Sequence, residues 1–161
     1  MRNKNLFKEI LLSSSFAIIG IVGFTSCNKD DDDMNNAEEY TISGNASGAQ
    51  EVPAVSGSGA GTITGTYNKT SNTLKYNISW SNLTDVATAV HFHGPAATGI
   101  SAGVLIPVTI STSGATGNAQ GTVVVVDSVE TALLNGNLYY NVHTLRNPDG
   151  EVRGQVVVSS K

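Results

Sequence analysis

The chain has 161 residues, a single cysteine and a formal charge of −4. That length suits one domain, and the lone Cys27 excludes an internal disulfide. The charge is carried by the first 39 residues, so the remainder is close to neutral and has no basic face to track phosphates, which argues against nucleic acid as a partner.

Arg2, Lys4 and Lys8 make a positive start, and Ile10 to Phe24 follows as an apolar stretch relieved by three serines. This is the layout of a signal peptide over residues 1–26. The apolar stretch is shorter than the roughly 20 residues that cross a bilayer as a helix. It ends at Phe24-Thr25-Ser26-Cys27, which resembles a bacterial lipobox with Phe where Leu is usual. That resemblance implies a lipid on Cys27 as the first residue of the mature chain. Lys29 and Asp30, Asp31, Asp32 and Asp33 come next, in a polar stretch that runs to residue 39. Such a charge run reads as a disordered tether. Its place directly after the cysteine also resembles the export signal of Bacteroidetes-type lipoproteins. The resemblance implies the outer membrane and a cell-surface orientation, with the periplasmic face as the alternative.

Residues 40–161 read as an all-β domain. Strand signals recur at Tyr40–Ala46, Gly61–Tyr67, Leu74–Trp80, Ala87–His93, Val104–Ile110, Gly121–Val126, Leu138–Thr144 and Val152–Ser159. Leu74, Tyr76, Ile78 and Trp80 alternate with polar residues, the pattern of a half-buried antiparallel strand. Val123 to Val126 is a continuous apolar run, which predicts burial on both sides. One short helix is expected from Ser128 to Leu134, capped by Asp127 or Ser128 and ended by Gly136. About eight short strands at this spacing predict a β-sandwich or a Greek-key barrel. Asn147-Pro148-Asp149-Gly150 has type I turn chemistry. Counting back from it sets His143 and Thr144 opposite Gly154 and Arg153, within one residue.

Three blocks in order resemble the CHRD domain, the repeated module of chordin that also occurs singly in bacterial secreted proteins. They are Ala49-Gln50-Glu51-Val52-Pro53-Ala54-Val55, then Ala89-Val90-His91-Phe92-His93-Gly94-Pro95-Ala96, then Gly136 to Thr144 continuing through Asn147 to Gln155. The resemblance implies a β-sandwich module and brings no catalytic activity. Chordin's growth-factor binding belongs to separate cysteine-rich modules, which this chain lacks. The function expected is a surface-displayed, lipid-anchored binding or structural module of the envelope, meeting a protein or glycan ligand.

The alternative is a metal-binding protein. His91 and His93, two residues apart on one strand, share a face opposite Phe92, and His143 can add a third imidazole from the hairpin. Three imidazoles suit zinc or copper(II), and an open fourth position would suit catalysis. The His-Phe-His run is similar to copper–zinc superoxide dismutase, but that enzyme's later zinc-binding run and disulfide have no counterpart here. The competing reading is structural, with imidazoles pinning loops through backbone carbonyls or through Glu151, His143 holding the Gly94-Pro95 turn. Structure is the favoured reading. Glu151 and Arg153 form a second same-face pair, read as a support for the site or as a salt bridge or loop clamp. Gly99-Ile100-Ser101-Ala102-Gly103 matches a nucleophile elbow by pattern, but a strand follows it where the elbow needs a helix, so it reads as a loop. Asp127-Ser128-Val129 resembles an O-glycosylation triplet centred on Ser128.

Overall fold

A computed structural model describes residues 38–160. The expected signal peptide of residues 1–26, the expected lipidation site Cys27, and the acidic run Lys29 to Asp33 lie outside the described residues. Nine strands form the fold: β1 (Glu39–Ser47), β2 (Ala60–Asn68), β3 (Thr73–Ser81), β4 (Ala87–His93), β5 (Val104–Val108), β6 (Gly117–Val124), β7 (Tyr139–Thr144), β8 (Val152–Gln155) and β9 (Val157–Ser160). Among the described residues, one α-helix, α1 (Asp127–Leu134), stands between β6 and β7.

All pairings are antiparallel, in the order β5-β4-β7-β8-β1-β2-β3-β6, with β9 also on β1. The sheet curls into a nearly closed barrel. The connection after the edge strand β5 folds back onto the other edge strand, β6, where the N–H groups of Ser111 and Thr112 donate to Asn118 O, at 2.9 Å each. The chain crosses from β3 to β4 and from β6 to β7, connections of the Greek-key kind.

Alternation explains the interior. Ile42, Ile63, Leu74, Ile78, Phe92, Tyr140, Val142 and Val152 are all at most 1% exposed and fill one core. Tyr140 reaches across it to donate its hydroxyl to Gly44 O at 3.3 Å. The helix α1 adds Val129 and Leu133 to the same core.

Four local expectations are corrected. The run Val123 to Val126 is not buried on both sides, because β6 is an edge strand paired only with β3, and Val124 and Val126 are 70% and 64% exposed. The strand itself starts earlier, at Gly117, since Asn118, Ala119 and Gln120 pair with β3 despite their loop-like composition. The cap of α1 is Val126 with no side-chain hydrogen bond, and Asp127 instead sits in the first helical turn, where its charge favours the helix dipole. The expected last strand divides at the buried Val156 into β8 and β9, which keep one register along β1 on either side of it.

The turn at Asn147–Gly150 closes as expected, Gly150 N–H donating to Asn147 O at 3.1 Å. The register beyond it differs. Arg153 lies opposite Asn141 and Gly154 opposite Tyr140, a slip of three residues from the count. Thr144 bonds back to Asn147, and Leu145 and Arg146 are pushed out of the ladder into solvent, so the loop is longer than the turn alone.

Candidate functional site

On β4 and β7 the residues that face the core are Val90 and Phe92, then Tyr140 and Val142. The intervening side chains, His91 and His93 on β4 and Tyr139, Asn141 and His143 on β7, face outward. Arg153 on β8 extends the row. An outward row would ordinarily be wet, yet His93, Asn141, His143 and Arg153 are between 2% and 8% exposed. Two loops roof them. The first is the glycine-rich stretch between β4 and β5 that contains Gly99 to Gly103, confirmed as a loop with a strand after it. The second is the Asn147–Gly150 turn.

Register brings the imidazoles together. His91 lies opposite Asn141, His93 opposite Tyr139 and Ala89 opposite His143. One nitrogen from each of the three histidines lies within 4.8 Å of the others. The closest approach is His91 Nδ1 to His143 Nε2 at 2.9 Å.

Backbone carbonyls orient two of the rings. His143 Nδ1 is 2.9 Å from Pro148 O, and a carbonyl can only accept, so the proton sits on Nδ1 and Nε2 keeps its lone pair. His91 Nδ1 must therefore be the donor to it. His93 Nδ1 is 3.0 Å from Ala102 O, and its Nε2 is 3.0 Å from Asn141 Oδ1. Its ring also lies parallel to Tyr139, with centroids 4.9 Å apart. Burial pushes the pKa of each histidine below the ordinary value, and at His91 the neighbouring imidazoles add to the effect.

Glu151 and Arg153 do not act as a pair. Glu151 accepts from Thr84 N–H and the Thr84 and Thr144 hydroxyls, at 2.6, 2.9 and 2.7 Å. Arg153 donates to Ile100 O at 2.8 Å and lays its guanidinium 3.5 Å from the centre of the Tyr139 ring. Arg153 is thus a loop clamp. His143 holds the Pro148 turn and not Gly94-Pro95, while His93 is the imidazole bonded to the β4–β5 loop. Ser128 is exposed in the first turn of α1.

Three participants escaped the sequence reading. Tyr139 and Asn141 share the period-two face of His143 and were legible from that spacing. Glu51 carried no such signal. It is 8% exposed, its Oε1 has no hydrogen-bond partner, and burial lifts its pKa to about 7 against the pull of Arg153 and Asn141.

A model of the CHRD domain matches residues 42–156. The chain belongs to the CHRD domain family. No curated protein and no solved structure matches it. The three blocks that carry the CHRD resemblance, far apart in sequence, meet at this cluster. The first supplies Glu51, the second His91 and His93, and the third Tyr139, Asn141, His143 and Arg153. As a CHRD domain the described part is a binding or structural module.

Proposed function

We propose that this chain is a CHRD module tethered to the outer membrane by a lipid on Cys27 and displayed at the cell surface, where it binds an envelope partner. The observation that carries the reading is where the fold begins. Strand β1 starts at Glu39, so only a short polar stretch separates the ordered barrel from Cys27. By sequence alone, a short run of Lys29, Asp30 to Asp33 and polar residues reads as a tether.

The barrel offers a surface suited to the role. On the outside of β2, β3 and β6, Thr64, Asn77 and Gln120 stand in one row and Thr66, Lys75 and Thr122 in the next. A shallow trough runs between the rows, floored by the backbone of Gly65, Tyr76 and Gly121. Short, nearly uncharged hydrogen-bonding side chains on a rigid sheet suit a neutral polar partner, a glycan chain or a polar protein surface.

Metabolic labelling with a fatty-acid analogue and protease shaving of intact cells test the display. Wild type takes up label and is shaved, Cys27→Ser takes up none, and alanine at Asp30 to Asp33 protects the protein from shaving. Equal label on Cys27→Ser overturns the anchor, and unchanged shaving of the alanine variant reduces the acidic run to a spacer.

A further inference from the structure

Proton bookkeeping in the histidine cluster does not close with neutral rings. His93 faces an acceptor at each nitrogen, Ala102 O and Asn141 Oδ1, both at 3.0 Å. A neutral imidazole has one N–H, so one of these contacts sets a lone pair against a lone pair. Reversing the Asn141 amide would give His93 Nε2 a donor but would give up the contact on the other side. Its Nδ2 donates to Asp149 O, and reversal would set oxygen against that carbonyl, next to the Glu51 carboxylate. With the amide as it stands, a positive charge on or beside His93 would satisfy both acceptors.

A second proton on His93 is one source, but it would place an imidazolium under two loops beside two further imidazoles. A metal ion supplies the charge and uses the lone pairs. The geometry fits. Two nitrogens about 2.0–2.1 Å from one ion lie about 2.9 Å apart at a right angle and about 3.4 Å apart at the tetrahedral angle. The His91–His143 nitrogens already stand at 2.9 Å. The carbonyls of Pro148 and Ala102 sit where backbone oxygens commonly stand behind metal-bound imidazoles, taking the proton on the far nitrogen.

We infer that His91, His93 and His143 bind one divalent late transition metal, zinc or copper(II), beneath the β4–β5 loop. The His91 ring, the most accessible of the three, lies at the solvent side of the site. Binding replaces the proton shared by His91 and His143 and draws the His93 ring inward by roughly 1 Å, to within bonding reach.

The test uses the full chain purified in detergent and stripped with a chelator. Zn(II) and Cu(II) are titrated separately by calorimetry, in wild type and in a variant with alanine at Asp30 to Asp33, which removes ions held by the tether. One tight ion per chain is expected in both backgrounds, with imidazole nitrogen couplings in the electron paramagnetic resonance spectrum of the copper form. His91→Ala should retain its far-ultraviolet circular dichroism and weaken binding by at least the roughly 10- to 100-fold that loss of a partner behind a ligand costs. Wild type that takes up no stoichiometric ion of either kind overturns the inference, as does equal affinity in His91→Ala. Should that variant fail to fold, the wild-type stoichiometry and the nitrogen couplings decide, and the absence of either overturns it.

Discussion

The space that a side chain on Gly150 would need is held by the carboxylate of Glu51. A Cβ built on Gly150 meets Glu51 Oε1 and Asn141 Nδ2, and the glycine itself sits at φ +130°. Two requirements therefore meet at one residue, the positive φ that ends the Pro148-Asp149 turn and the close approach of a buried acid. Gly150→Ala should destabilise the domain by about 1–3 kcal/mol through backbone strain alone, with the contact adding to it. Thermal melting checks this, and an unchanged midpoint would mean that the turn and Glu51 both move aside freely.

Glu51 also predicts an unusual pH dependence. Its folded pKa of about 7 exceeds the ordinary 4.5, because burial outweighs the pull of Arg153 and Asn141, and Asp149 adds repulsion. A raised carboxyl favours folding fully below pH 4.5, and that contribution is lost as pH rises through about 7. Its size is on the order of 3 kcal/mol. The depressed histidines work the other way, losing stability as pH falls below 6.5. The clean observable is therefore a difference. Glu51→Gln should gain stability over wild type at pH 8 and lose that advantage near pH 4.5. A difference that does not vary with pH would show that Glu51 is ionised throughout.

The strand pattern was legible because each barrel strand shows one face to the core. Leu74, Ile78 and Trp80 announced β3, and Phe92 between two histidines announced β4. Edge character is not written in composition, so Val123 to Val126 looked like a central strand. The site was half legible. Period two placed His91 beside His93, but the meeting with His143 depends on the β4–β7 register, and Glu51 enters from a loop whose burial depends on the Gly150 turn. The hairpin register failed for a similar reason, since Thr144 bonds back to Asn147 and lengthens a loop that the turn residues alone would have kept short.

Arg153 joins the β4–β5 loop to the barrel. It is 2% exposed, donates to Ile100 O and stacks over Tyr139, which itself donates to Ala102 O at 3.2 Å. Lysine keeps the charge but cannot hold the planar contact and the carbonyl bond together. Arg153→Lys should lower stability by about 1–3 kcal/mol. It should also speed proteolytic nicking between residues 97 and 103, while cleavage elsewhere changes only with global unfolding. Uniform acceleration at every site would place the effect in the whole barrel and not in the loop.

Glu151 performs the matching task at the other end of the hairpin. Its two oxygens take the Thr84 N–H and the hydroxyls of Thr84 and Thr144, tying the β3–β4 connection to the foot of β7. Burial alone would raise its pKa, but the bonds from Thr144 and Thr84, with help from Asn147, hold it below the ordinary 4.5. Stability from a depressed carboxyl is present above the unfolded pKa and disappears as pH falls through the folded one. Glu151→Ala leaves the Thr84 N–H and hydroxyl and the buried Thr144 hydroxyl without their acceptor, a loss of about 1–3 kcal/mol at pH 7. Glu151→Gln keeps an oxygen for the Thr84 N–H and loses the charge, so it should fall between wild type and alanine. As pH falls through the lowered pKa of Glu151, wild type should approach the glutamine variant, because a protonated Glu151 resembles glutamine, while the alanine variant stays below both. Denaturant unfolding at pH 7 and pH 3.5 measures this, and a glutamine variant as stable as wild type at pH 7 would show that shape, and not charge, makes the tie.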